Sequence, residues 1–383
     1  MATLNGYDAI VMIAASEIDS NLYYATGFLA PDPFIFIQSG DEKILVMSDL
    51  EVDRARTQGR VDTVLSYSAY EASLKETEAK PPGLLDVLEV VLRERKAHHL
   101  LVPGNFGIEH ADSLRARGYT LTVKREPFFE ERLVKSEEEI ERITATQRAT
   151  EEAVDAAVEA IRAADVKEDR LLYLDGEPLT SETLKMIINV KLMESDCVAQ
   201  HTIVAAGVHG VDPHHQGTGP IRANESIVMD VFPRSGRTRY FADMTRTVVK
   251  GRASPKLKAM YRAVLNAQER GIELIRDGAD GKTIHSEVNH VLEKDGFTTG
   301  RVGGRMQGFF HGTGHGLGLD IHEPPRISKT GAVLKSGHVV TVEPGLYYLD
   351  AGAVRIEDLV VVTPTGCRNL TRFPKGLTEF EIE

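Results

Sequence analysis

Apolar and polar positions in the first third of the chain alternate between strand-like and helix-like patterns. Residues 7–14 (YDAIVMIA) form a short, β-branched apolar run typical of a buried strand. Residues 34–48 (FIFIQSGDEKILVMS) give two such runs around Ser39-Gly40-Asp41-Glu42, a hairpin signal. Helical and extended stretches then take turns. DLEVDRARTQG (49–59) is helical and ends at a glycine, VDTVLSYS (61–68) is strand-like, and PPGLLDVLEVVLRERKA (81–97) is an amphipathic helix with prolines at its start. HHLLVPG (98–104), IEHADSLRARG (108–118) and YTLTVK (119–124) continue as strand, helix and strand. This rhythm predicts a small α/β domain over residues 1–133. No candidate chemistry falls in it, and His98 and His99, at the start of a strand, read as structural.

The pattern resets near Leu133–Lys135. Ser136 and Glu139 have the spacing of a capping box. Beyond them Ile140, Ile143, Val154, Val158 and Ile161 recur at helical spacing, interrupted by a polar turn around Gln147 and Thr150. A long helix therefore opens a second domain, residues 134–383, and residues 180–194 give another helix. After a strand at HTIVAAG (201–207) and a loop rich in Gly, Pro and His (208–221), residues 226–251 read as a long hairpin turning near Ser235-Gly236. Two helices follow, the first capped by Ser254 with Pro255 at its first position. A glycine-histidine stretch, FFHGTGHGLGLDIHEPPR (309–326), then leads into a last hairpin region at 338–363.

The two hairpins resemble each other. The first carries Asp230 on its outgoing strand and Asp243 thirteen residues later, before MTRTVV. The second carries Glu343 and, fourteen residues later, Glu357 before DLVVV. An acid on each outgoing and each returning strand reads as an internal duplication in which two ribbons face one another.

Composition narrows the partners. At 383 residues the chain exceeds one comfortable core, which favours two domains. A formal charge of −12 leaves no basic surplus for phosphates and argues against a nucleic-acid partner. No run approaches the ~18 apolar residues of a membrane span, and MATLNGYDAIVMIAAS lacks the basic start of a secretory leader. With only Cys197 and Cys367, a disulfide framework is not expected, and a cytoplasmic location is.

An acid inside a β-branched run is costly to bury unless it is paired or holds a metal. Asp230 in IVMDVF, Glu343 in VVTVEP and Glu357 in VRIEDLVV all break such runs, and a cluster of three histidines, His311, His315 and His322, lies between the hairpins. Four carboxylates and an imidazole suit two divalent ions, with oxygen-rich ligation favouring Mn²⁺, Co²⁺ or Fe²⁺, and Zn²⁺ as a further option. Two such ions roughly 3.5 Å apart can generate hydroxide and stabilise the oxyanion of peptide hydrolysis. The glycines at 312, 314, 316 and 318 do not fit G-x-G-x-x-G, and no P-loop lysine follows.

As a set, PHH (213–215), MDVF (229–232), ADMTRT (242–247), HGTGHGLGLDIHEPPR (311–326), VEPG (342–345) and VRIED (354–358) resemble the pita-bread metallopeptidases, in the family's order. This group includes methionine aminopeptidase, aminopeptidase P and prolidase. The first domain resembles the creatinase-like α/β domain that precedes the α+β pita-bread catalytic domain, with its pseudo-twofold hairpins, in prolidases and aminopeptidases P. The resemblance implies metal ligation by Asp230, Asp243, His315, Glu343 and Glu357, with Asp243 and Glu357 bridging and Glu343 as general base. It implies catalytic roles for His214 and His322, with neighbouring His215 leaving the register of the former open. His311, Arg326 and Arg355 fall where the family places substrate-facing or metal-proximal residues. Asp230 and Asp243 stand further apart than in most relatives, the surplus lying in the turn PRSGRTRY. The expected activity is that of an Xaa-Pro dipeptidase (prolidase) attacking its small peptide substrate with a metal-bridged hydroxide. Arg326 matches an arginine that binds the substrate carboxylate in some prolidases. The alternatives are an Xaa-Pro aminopeptidase, or a pita-bread hydrolase of a non-peptide amide of the creatinase or ectoine-hydrolase kind. Relatives are commonly homodimers.

Overall fold

In a computed structural model, which describes residues 6–75 and 81–383, the first apolar run forms a strand, Ala9–Ala14, whose alternate side chains enter different cores. Ala9 and Val11 pack in a cluster with Val87, Leu88, Val91 and Leu92 of the helix Leu84–Glu94. Ile10 and Met12 pack on the opposite side with Leu22, Phe28 and Phe128. Burial on both faces is why the strands read as continuous apolar runs rather than as alternating ones. The sheet has six strands, ordered Thr63–Ser66, Glu42–Met47, Phe34–Ser39, Ala9–Ala14, His99–Pro103 and Thr120–Lys124. Its first hairpin turns through Gly40 and Asp41, and the outer crossovers are parallel. Two helices lie outside the sequence reading. Ser20–Thr26 is capped by Asp19, and Tyr67–Lys75 has no buried residue and a weak apolar stripe, which left it no signature. The first five residues, which begin the stretch read above as lacking a leader, lie outside the described residues.

The chain divides into two compact units, Met1–Arg132 and Leu133–Glu383. In the second, the helix Glu137–Ala163 starts at a capping box: the Ser136 hydroxyl accepts from the Glu139 backbone N–H while the Glu139 carboxylate accepts from the Ser136 N–H. With Ser181–Glu194 it covers a four-stranded sheet containing Ile203–Ala206, Ile227–Val231 and Met244–Lys250. Helices Pro255–Leu274 and Gly281–Lys294 cover the second β region, where Val339–Val342 pairs with Asp358–Val362, and Gly345–Tyr348 with Gly352–Arg355. Each half thus has an antiparallel hairpin backed by a helix pair. The halves are stitched directly together, because the Glu357 N–H donates to the Thr245 carbonyl at 3.1 Å and the Thr247 hydroxyl to the Arg355 carbonyl at 2.9 Å. Among the described residues no helix is long and apolar enough to cross a membrane.

Candidate metal centre

The acids of the two hairpins fall where strand pairing opens. In the first hairpin Val231 pairs with Met244 and Asp230 with Thr245, so Asp243 lies one residue beyond the ladder. In the second, Val342 pairs with Asp358, which puts Glu343 and Glu357 just past its end. The stitching between hairpins brings these ends onto one cavity of about 620 Å³, lined by Asp230, Asp243, Glu343 and Glu357 together with His315.

His315 is delivered by backbone crowding. It lies on the short strand Gly314–Gly316, whose pairing with Glu323–Ile327 shifts register between His315 and Gly316. A β-carbon on Gly314 would stand 1.9 Å from the Thr341 carbonyl oxygen, and one on Gly316 2.4 Å from that of Pro324. The glycines of the HGTGHG stretch therefore permit close strand approach. The His315 Nδ1–H donates to the Gly316 carbonyl at 3.1 Å, which leaves Nε2 as an acceptor. That nitrogen faces Asp243 Oδ2 at 3.6 Å and Glu343 Oε1 at 3.5 Å. Burial, with the neighbouring His322, pushes the His315 imidazole down to about 3, so it is neutral.

A lone pair aimed at carboxylates needs a cation between them. Asp230 Oδ1, Asp243 Oδ1 and Glu357 Oε1 are buried and have no hydrogen-bond partner. Donor atoms of Asp243, His315 and Glu357 all lie within 4.8 Å of one another. Burial and the mutual repulsion of the acids hold Asp243 and Glu357 well above the usual carboxylate range. Burial likewise takes Glu343 up to about 7, although Arg355 opposes it. Four carboxylates outnumber the guanidiniums of Arg355 and Arg326 at this cavity, and the negative surplus is one that divalent cations neutralise. On donor type, orphaned oxygens and charge, these residues fit divalent metal.

The remaining histidines and arginines divide into those open to the cavity and those already engaged. His214 and His322 are exposed side chains on its wall, and the His322 ring stands edge-on to that of His315 at 4.5 Å. His215 turns elsewhere: its Nδ1 accepts from the Gly217 N–H and its ring stacks on His209 at 4.3 Å. His214 is therefore the cavity member of that pair. Arg326 also lines the cavity, with an exposed side chain and no hydrogen-bond or ion-pair partner among the described residues. Arg355 is buried and engaged through each of its nitrogens, bonded to Asp230 Oδ2 at 2.6 Å, the Tyr347 hydroxyl at 2.9 Å and the Thr245 hydroxyl at 3.2 Å. His311 has both nitrogens engaged, Nδ1 with the Gly312 carbonyl at 2.8 Å and Nε2 with the Tyr347 hydroxyl at 2.9 Å.

Several residues at the site have no motif signal in the sequence. The Thr245 hydroxyl donates to Glu357 Oε2 at 2.8 Å. The Thr341 hydroxyl accepts from the His315 N–H at 3.1 Å and reaches Glu343 Oε1 at 3.4 Å. Tyr347 joins Arg355 to His311. Gln147, fully buried, accepts from the Asp243 backbone N–H at 3.3 Å. Its signal was the polar turn in an otherwise apolar helix face.

Two hairpins, each backed by a helix pair and meeting at a buried carboxylate-histidine cluster that could hold metal, make up a pita-bread fold. Residues 141–364 match the model of metallopeptidase family M24, and the chain belongs to that family. It is 27% identical over 361 residues to an Xaa-Pro dipeptidase of Pyrococcus furiosus, covering 93% of this chain and 92% of that one. A solved prolidase from Pyrococcus furiosus superposes with a TM-score of 0.76 at 25% identity, over 96% of this chain and 97% of that one. An X-Pro aminopeptidase from Thermotoga maritima shares the fold, with a TM-score of 0.81 at 24% identity over 97% of both chains.

Proposed function

We propose that the protein is an Xaa-Pro dipeptidase whose cluster of Asp230, Asp243, His315, Glu343 and Glu357 holds two divalent ions. The observation that carries this reading is the exposed guanidinium of Arg326, without a hydrogen-bond or ion-pair partner among the described residues, on the wall of the cavity that the acids share. A dipeptide presents a free carboxylate next to its scissile bond, and a guanidinium pairs with it in a charge-assisted, bidentate manner. The relatives named as Xaa-Pro dipeptidases and prolidases support the same substrate class.

When bound, divalent ions at this cluster polarise the scissile carbonyl and make water a nucleophile near neutral pH. The protein's own part is orientation and proton handling. Arg355 fixes Asp230 through one oxygen, and Thr245 fixes Glu357 likewise, which leaves the other oxygen of each directed inward. Glu343, with a carboxyl pushed up to about 7, is suited to accept a proton and return it to the leaving proline nitrogen. His322, held below its ordinary value by burial and by Arg326, is neutral and offers a hydrogen bond to the reacting carbonyl. His214 faces it from the loop side. His311, with both nitrogens engaged, contributes to substrate binding through its ring face and by holding Tyr347.

Further parts of the reading are Mn²⁺ as the working ion, on the oxygen-rich ligand set, and a cytoplasmic location, on two cysteines that are both free. The family resemblance adds a homodimer, with residues 1–133 as a creatinase-like domain and 134–383 as the catalytic one. The test is a hydrolysis panel of Ala-Pro, Gly-Pro, Xaa-Pro-Xaa and Met-Ala-Ser with added Mn²⁺, Co²⁺ or Zn²⁺. Preferential cleavage of the two dipeptides supports the dipeptidase. Faster cleavage of Xaa-Pro-Xaa overturns it in favour of an aminopeptidase, and no cleavage of any proline substrate overturns both.

A further inference from the structure

Behind the metal centre, on the side away from the cavity, lies an arginine to which the reading above assigns no role. Arg246 follows Thr245 on the strand Met244–Lys250 and is 2% exposed. A guanidinium has five N–H donors, and the contacts of Arg246 take up all five. Nε donates to the Pro374 carbonyl at 3.1 Å. One terminal nitrogen donates to the carbonyls of Thr245 at 2.9 Å and Glu357 at 2.6 Å. The other donates to Asp358 Oδ1 at 2.8 Å and to the Phe373 carbonyl at 2.7 Å.

These partners are not scattered. Thr245 and Glu357 form one of the junctions between the two hairpins: the Glu357 N–H donates to the Thr245 carbonyl, and the Thr245 hydroxyl to the Glu357 carboxylate. Arg246 therefore grips both sides of the junction that presents Glu357 to the cluster. Its grip is braced from behind, because the other oxygen of Asp358 accepts from Lys375 at 2.5 Å and Asn369 at 2.8 Å. A lysine at 246 offers its donors from one nitrogen and cannot span carbonyls lying in several directions.

We propose that Arg246 is a positioning residue for the metal centre. It holds the backbone of Glu357 and Thr245 in the arrangement that aims the Glu357 carboxylate at the metal, with Asp358 and the C-terminal segment at Phe373–Lys375 as its anchor. This rests on the metallopeptidase reading. Residues that orient ligands from behind typically change metal affinity by about 10–100-fold when replaced.

The test is calorimetric titration of Mn²⁺ into chelator-stripped protein, for wild type, Arg246→Lys and Lys375→Met, with circular dichroism to confirm folding. Arg246→Lys is expected to remain folded at 25 °C and to bind Mn²⁺ at least ~10-fold more weakly. Lys375→Met, which loosens Asp358 without touching the backbone contacts, is expected to weaken binding by a smaller factor. A folded Arg246→Lys with affinity within ~2-fold of wild type overturns the proposal. If Arg246→Lys does not fold, unchanged affinity in Lys375→Met overturns it instead. Wild-type protein that binds no Mn²⁺ would fail the metallopeptidase reading itself, so the two failures are distinguishable.

Discussion

Lys135 and Glu323 form an ion pair at 2.8 Å, with side chains only 2% and 5% exposed. Glu323 follows His322 directly and opens the strand that carries Arg326, so the pair anchors the segment bearing two cavity residues. A second bond reaches Glu323 Oε1 from the Asp320 N–H at 3.1 Å. Replacing Lys135 by methionine keeps the apolar stem and removes this cation from a buried carboxylate. Breaking a buried pair in this way costs about 3–5 kcal/mol, and the surviving Asp320 bond favours the lower figure. For a folding unit of this size, 3 kcal/mol corresponds to a fall in Tm of roughly 6–12 °C. Scanning calorimetry of Lys135→Met, Glu323→Gln and the double variant measures it. The double variant should be less destabilised than the sum of the two, because it removes the charge of Glu323 together with that of Lys135. A shift below about 2 °C in Lys135→Met, or strict additivity in the double variant, would refute the assignment of a buried, charged pair.

Three further outcomes follow from the cluster itself. Asp243→Ala and Glu357→Ala should each lower kcat/KM on Ala-Pro by at least ~100-fold while leaving the circular dichroism spectrum unchanged; near-normal turnover by either removes the two-ion scheme. Arg326→Ala should cost dipeptides about 1.5–3 kcal/mol in kcat/KM, the worth of a charge-assisted hydrogen bond, and tripeptides less, so equal losses on both would exclude the carboxylate role. The chelated protein should lose stability as pH rises from 5 to 8. The folded Glu343 carboxyl lies at about 7 against its ordinary 4.5, so the folded state binds the extra proton and stability falls between those values. The contribution is at most roughly 3 kcal/mol and is isolated by comparison with Glu343→Gln; equal pH dependence of Tm in the two proteins would contradict it.

What the sequence disclosed of the fold followed local physics. Strands buried on both faces announce themselves as apolar runs, and the Ser136 and Glu139 pair marked a helix start that the backbone reproduces. The helix Tyr67–Lys75 was not legible, because it buries no residue fully and only Tyr67, Tyr70 and Leu74 rest partly on the core. In the hairpins Asp230, Glu343 and Glu357 were visible because each interrupts an apolar run, an expense that local structure alone does not justify. The contacts that align those hairpins were not visible. Arg246 and Glu357 are 111 positions apart, and nothing in either neighbourhood names the other.

Side-chain roles depend on which atoms are already spoken for, and a motif does not contain that information. His311, His315 and His322 look equivalent within the 309–326 stretch, yet their nitrogens have different obligations. His315 spends Nδ1 on a carbonyl and points Nε2 into the acids. His311 spends both nitrogens, one on a carbonyl and one on Tyr347. His322 stands exposed on the cavity wall. The same reasoning separates the arginines. Arg246 has committed all five donors to protein partners and Arg355 has engaged each of its three nitrogens, whereas Arg326 has no hydrogen-bond or ion-pair partner among the described residues. Counting unspent donors and acceptors thus narrows an apparently uniform set of polar residues to one histidine whose second nitrogen faces the acids and one guanidinium open to the cavity. Those are the two groups on which the dipeptidase reading depends.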